Sequence, residues 1–161
     1  MVQKITQLLI ICLLISLSAC SSTSKNIAKI TVGKGTVRGN EIMISQIQFD
    51  DQWKAPGGSA ECCWQQAGGG MTKRNVPFPK KVSVVWSDLS QRRIYFTDVA
   101  LDYKKGEEFA HNVPSFTVHT GRVEMDPDPY LIVGFGENGE VKVWVAVWGM
   151  ISDLSVGLDC M

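Results

Sequence analysis

Short segments in which apolar and polar side chains alternate dominate this chain, and a period of two is typical of strands rather than helices. The segments are rich in Val, Ile, Phe, Tyr and Trp, which favour a pleated, half-buried surface. They predict strands over residues 27–32, 41–49, 81–86, 93–101, 115–123, 130–135 and 141–148. We therefore expect an all-β fold, either an antiparallel β-sandwich or a partly open barrel.

The last two of these segments are joined by Asn138-Gly139, which predicts a tight hairpin because a type I′ turn needs a positive φ at both central residues. On the second strand of this hairpin, Trp144 and Trp148 fall on the face opposite the valines. We interpret them as a second layer of core packing, since large aromatic side chains fill cores more often than they mark binding surfaces. An interface role is the alternative.

Residues 53–79 contain many glycines and prolines, which predict a long shaped loop in place of a helix. Trp53 and Trp64 lie in this segment and are our candidates for partner-binding anchors, because buried aromatic side chains dominate many protein interfaces. The alternative is that both tryptophans pack inside the loop against Cys62 and Cys63.

The N-terminus has the pattern of an export signal, with Lys4 followed by an apolar run over residues 8–17 that is too short to span a bilayer. Leu17-Ser18-Ala19-Cys20 resembles the lipobox of bacterial lipoproteins. The resemblance implies cleavage before Cys20 and acylation of that residue, so we expect a signal peptide over 1–19, a lipidated tether over 20–26 and one β-rich domain over 27–161. An ordinary secretory signal is the alternative.

The same resemblance implies a location. In such lipoproteins the residue after the acylated cysteine sorts the protein between membranes, and Ser21 favours the inner leaflet of the outer membrane, with the domain facing the periplasm.

The charge of the chain excludes one class of partner. Its formal net charge is +0, and removal of the signal with Lys4 leaves the mature chain at −1. Binding to nucleic acid needs a concentrated excess of Lys and Arg, so we expect no nucleic-acid partner.

Of the five cysteines, Cys12 leaves with the signal and Cys20 is the expected lipidation site. The candidates for a disulfide are Cys62, Cys63 and Cys160. We favour a long-range bridge from Cys62 or Cys63 to Cys160, which suits an oxidising compartment. A ring between the two neighbours and a metal site on the vicinal pair are the alternatives.

The sequence contains no HExxH, GxSxG or Walker-type motif, and we expect neither an enzyme nor a cofactor. His111 and His119 are the only histidines, and both are interpreted as ordinary polar side chains. The acids Glu124, Asp126 and Asp128 could begin a calcium site, but they lack the EF-hand pattern, so no metal is expected.

One further resemblance bears on function. The arrangement Cys62-Cys63-Trp64, Gly68-Gly69-Gly70 and Pro79-Lys80-Lys81-Val82-Ser83-Val84-Val85-Trp86 is similar to uncharacterised proteobacterial lipoproteins that carry domains of unknown function. These are often encoded beside lipase-type effectors of type VI secretion systems. The resemblance implies a periplasmic immunity protein that neutralises such an effector. The alternative is a structural or glycan- or lipid-binding envelope lipoprotein.

Overall fold

The computed structural model describes residues 25–155, apart from 38, 66–67, 114–115, 118–120, 122, 125–127 and 148–149. The expected signal, Cys20 and Cys160 lie outside the described residues. The strands and helices are β1 (Ile27–Thr36), β2 (Ile42–Phe49), β3 (Trp53–Ala55), β4 (Gly58–Ser59), β5 (Glu61–Cys62), β6 (Gly68–Val76), β7 (Lys81–Asp88), β8 (Arg93–Ala100), α1 (Tyr103–His111), β9 (Phe116–Thr117), β10 (Val123–Glu124), β11 (Tyr130–Phe135), a 3-10 turn (Glu137–Gly139), β12 (Val141–Val147) and β13 (Met150–Asp153).

These strands form two main sheets. Sheet A has the order β13-β12-β11-β1, and both β5 and β6 pair with the remaining edge of β1. Sheet B has the order β3-β2-β7-β8, and β4 also pairs with β2. The predicted all-β sandwich is confirmed. Two strand pairs differ from the expected antiparallel arrangement, since β1 lies parallel to both β11 and β5. In each pair the connection is long enough for a parallel crossover.

The core lies between the sheets and is built from alternate residues of each strand, as the period of two requires. On β7, for example, Val82, Val84 and Trp86 are fully buried, while the residues between them are half-buried on the other face. Trp86 contacts Phe135 of sheet A with ring centroids 5.4 Å apart, so the two sheets interlock directly. Burial of these side chains is the main force that holds the sandwich together.

The hairpin predicted at Asn138-Gly139 is confirmed. Asn138 has φ 56° and Gly139 φ 89°, which places both central residues in the left-handed region. The Glu140 N–H donates to the Glu137 carbonyl at 3.0 Å and closes the turn. The strands on either side pair antiparallel from Phe135 with Val141 onwards.

The predicted loop over residues 53–79 is wrong in its second half, because Gly68-Gly69-Gly70 begins the nine-residue strand β6. A side chain at residue 70 would collide with the backbone carbonyl of Val32 on β1. Glycine therefore allows β6 to approach β1 closely. In the sequence, the same glycines were interpreted as a sign of a loop.

Two other elements differ from expectation. Where one strand was predicted over 115–123, the described residues form the short antiparallel pair β9 and β10, in which Thr117 lies opposite Val123. The helix α1 was not predicted, because it spans nine residues and contains Gly106. Its start is fixed by Asp102, whose side chain accepts a hydrogen bond from the Lys105 N–H at 3.2 Å.

The sandwich has two distinct ends. At the end that we call the α1 end, the Lys25 N–H donates to Glu107 Oε1 at 2.8 Å and the Lys25 carbonyl lies 3.3 Å from His111 Nε2. At the far end, Thr36 pairs with Phe135 beside the hairpin turn, and the Tyr95 ring packs against Gly139. The ten residues of β1 separate these ends by about 30 Å. Within the described residues, no helix is long and apolar enough to cross a membrane.

Candidate functional site

The described residues bring together few groups that could do covalent chemistry. Among them, no cluster of three or more His, Cys, Asp or Glu side chains could hold a metal ion. His111 lies against the Lys25 carbonyl, while His119 is outside the described part. Of the acids weighed for calcium, Asp128 forms an ion pair with Lys29, and Asp126 is not among the described residues. The candidate sites that remain among the described residues are therefore exposed surfaces that could bind a partner.

The outer face of sheet B is the clearest of these surfaces. On β8, Tyr95, Thr97 and Val99 point toward the interior, whereas Ile94 and Phe96 point outward and are exposed. Phe96 is 78% exposed and Ile94 65%, values unusual for side chains of their size in a strand.

Neighbouring strands extend these two side chains into an apolar patch. Phe96 lies opposite Val85, and Ile94 lies opposite Ser87, which in turn pairs with Met43. Leu89, in the turn after β7, is 49% exposed, and Met43 is 44% exposed. The apolar patch consists of these five residues: Met43, Val85, Leu89, Ile94 and Phe96. Exposed apolar side chains that are grouped on one face of a sheet in this way mark interaction surfaces.

The same face becomes polar toward the α1 end. The next row across the sheet holds Gln48, Ser83 and Asp98, and Lys81 follows. At the opposite margin the exposed side chains of Arg92 and Arg93 flank the hairpin between β7 and β8. The patch therefore has a polar and charged rim on both sides, an arrangement shared by protein interfaces.

Of the two tryptophans proposed as anchors, Trp53 is not available to a partner. It is 8% exposed and stacks on Phe49 with ring centroids 4.2 Å apart. Trp53 begins β3 and points into the core, because β3 pairs with β2 and follows its alternation. Its interpretation as a partner-binding anchor is therefore wrong.

The favoured bridge to Cys160 is also wrong, because the structure joins Cys62 to Cys63, the alternative ring between neighbours. Both cysteines are exposed at the far end, where β5 pairs with the last two residues of β1. The pairing joins two neighbours in the chain and closes no long loop.

Trp64 follows this disulfide and is half-buried on the outer face of sheet A. Its ring lies edge-on to that of Trp144, with centroids 5.3 Å apart. A side chain at Gly136 would come within 2.7 Å of the Trp64 ring, so glycine leaves the space that the indole occupies. Trp144 itself is 3% exposed and outside the main core cluster, which confirms the predicted second layer of packing for this residue. Trp148 lies outside the described residues.

One buried acid stands at the far end beneath the apolar patch. Asp88 is fully buried, and its Oδ1 accepts from Ser90 Oγ at 2.6 Å and from the Gln91 N–H at 2.9 Å. The hydrogen bond from Ser90 holds the pKa of Asp88 below its ordinary value, helped by Gln91 and by the charge of Arg93, while burial acts in the opposite direction. This carboxylate orders the hairpin that carries Leu89 and Arg92.

The sequence contained only a partial signal for this site. Ile94 and Phe96 fall in a predicted strand, but both of its faces carry aromatic or branched side chains, so the exposed face could not be identified. Comparison of the chain with protein-family models, curated proteins and solved structures finds no match.

Proposed function

We propose that this chain is a lipid-anchored envelope protein that acts by binding, and that its partner is a secreted effector which it neutralises in the periplasm. The observation that carries the binding role is the apolar patch, with Phe96 78% exposed at its centre. Burial of such a side chain by a partner removes a large apolar area from water, and aromatic residues surrounded by a polar rim are typical of interface hot spots.

The position of the patch agrees with an anchor at Cys20. The described chain begins beside α1, whereas Ile94 and Phe96 lie in the half of β8 that is nearest the far end. A protein tethered through its N-terminus would therefore present the patch away from the membrane, where a partner in the periplasm can reach it.

The choice of an effector as the partner rests on the resemblance of the segment from Gln48 to about Tyr95 to lipoproteins that are often encoded beside secreted lipases. An immunity protein needs no chemistry of its own, because occlusion of the effector's active site is sufficient. Its requirement is a tight complex, and a rigid strand is a suitable support for the contacting residues.

A competition experiment tests this function. A strain that lacks the gene is mixed with sister cells that deliver the effector encoded beside it, and survival is counted with and without a complementing copy. We expect protection by the wild type and its loss with Phe96→Asp. Ala100→Asp is the matched control, since residue 100 is an exposed residue on the same strand and face at the opposite end of β8. If the deletion strain survives as well as its parent, the immunity role is wrong, and a structural or glycan- or lipid-binding envelope role becomes the preferred function.

A further inference from the structure

A groove runs between α1 and the edge strand β13, at the side of the fold where the described chain begins. Its volume is about 390 Å³, within the range of sites that bind small ligands. Phe109, Val113 and Met150 supply its apolar lining. The polar lining residues are Lys105, Glu108, Asn112 and Ser152.

The start of the described chain contacts the helix that forms one wall of this groove. Lys25 is bonded to Glu107 and lies against His111, and these two residues lie on the side of the helix that faces away from the groove-lining residues. Residues 21–24 separate Lys25 from Cys20, and the five Cα–Cα steps between these two residues span at most about 18 Å. This span exceeds the roughly 10 Å diameter of a helix, so the segment can pass around α1 and bring an acyl chain on Cys20 to the groove.

We propose that this groove binds one acyl chain of the protein's own lipidated N-terminus whenever the protein is out of the membrane. The inference rests on the lipid anchor of the proposed function. It does not depend on the identity of the partner.

Attachment to the same molecule makes a modest affinity sufficient. A short flexible linker produces an effective concentration in the millimolar range, so a site with micromolar affinity for a free acyl chain is almost fully occupied by an attached one. Within a bilayer the chain has an apolar solvent already, and the groove then offers it no advantage. The acyl chain therefore occupies the groove only when the protein is in water, where an exposed acyl chain would cause aggregation.

The first measurement uses the mature chain with Cys20→Ser, exported behind an ordinary secretion signal, and radioactive palmitate below its micellar concentration in equilibrium dialysis. We expect one molecule of palmitate per chain. Met150→Lys should weaken this binding at least tenfold, because it places a charge on the apolar wall. Ile151→Lys is the matched control and should bind as the parent does, since Ile151 is 42% exposed and belongs to the opposite face of β13.

The second measurement separates the protein's own acyl chain from free fatty acid. The acylated protein is freed of detergent, its monomer is isolated by size exclusion, and palmitate uptake is measured again. We expect a monomer that takes up little palmitate because its groove is filled, and we expect Met150→Lys to move the acylated protein into aggregates.

Two results would overturn the inference: no palmitate binding by the Cys20→Ser chain, as for a groove that takes an extended peptide, or equal palmitate uptake by the acylated monomer. Whether Cys20 is acylated is determined separately, from the mass of the N-terminal peptide. Failure of immunity is read from the competition experiment.

Discussion

The indole of Trp64 stands edge-on to that of Trp144, with ring centroids 5.3 Å apart, and fastens the disulfide-bearing segment to the outside of sheet A. Because Trp64 is half-buried, we expect Trp64→Ala to lower the free energy of unfolding by about 2 kcal/mol, less than the loss for a fully buried tryptophan. Urea denaturation measures this difference. Trp64→Phe should recover part of it, and an unchanged midpoint in Trp64→Ala would show that the ring contributes no packing energy.

The disulfide between Cys62 and Cys63 closes no long loop, so its removal should cost little. We expect the Cys62→Ser, Cys63→Ser double variant to unfold within about 1 kcal/mol of the parent, whereas a bridge across roughly a hundred residues would contribute about 4 to 5 kcal/mol. Non-reducing peptide mass spectrometry provides the direct check. It should find the two neighbours bridged, and a peptide that links either cysteine to Cys160 would contradict the pairing.

Asp50 fixes the entry into β7. Its carboxylate accepts hydrogen bonds from the backbone N–H groups of Lys80, at 3.0 Å, and Lys81, at 2.8 Å. Asp50→Ala leaves these donors without their partner and should cost about 1 to 3 kcal/mol in thermal or chemical unfolding. Asp50→Asn retains one acceptor oxygen and should be destabilised less, and equal losses for the two variants would show that the hydrogen bonds are not the cause.

The buried Asp88 makes the free energy of unfolding depend on pH in the acid range. Because the fold holds the pKa of Asp88 below its ordinary value of 3.8, the hydrogen-bonded carboxylate stabilises the protein fully at pH values above 3.8. This contribution is lost as the pH falls through the lower folded-state pKa. Urea unfolding from about pH 5 to about pH 2 should therefore show a smaller loss of stability in Asp88→Asn than in the parent. Ser90→Ala removes the main cause of the shift and should also reduce the slope, while parallel curves would assign the acid sensitivity to other carboxylates.

Local patterns were sufficient to predict the sandwich because its strands follow a simple alternation. The hairpin at Asn138-Gly139 was predicted for the same reason, since a positive φ at both residues is a local requirement. The strand β6 was missed because the glycine at position 70 meets a constraint imposed by Val32, a residue distant in the sequence.

Sequence reasoning on the candidate site was less successful, again because the deciding contacts are not local. Trp53 and Trp64 share a glycine-rich segment, yet one enters the core beside Phe49 and the other packs on the outside against Trp144. Phe96 was not predicted as a site residue. Its strand carries apolar side chains on both faces, and only the arrangement of the two sheets decides which face stays uncovered.

Phe96 separates a role in binding from a role in folding more sharply than any other residue of the apolar patch. Since its side chain is 78% exposed, Phe96→Ala removes little buried area, and we expect the free energy of unfolding to stay within about 0.5 kcal/mol of the parent. Val84→Ala, in the neighbouring strand but on the buried face, should lower it by at least about 1 kcal/mol. Truncation of an interface hot spot costs at least about 2 kcal/mol of binding, or roughly a thirtyfold loss of affinity. Titration calorimetry with the proposed effector should therefore show weakened binding by Phe96→Ala and near-normal binding by folded Val84→Ala. Equal affinities for Phe96→Ala and the parent would exclude the apolar patch as the contact surface, even if the protein still protects its host.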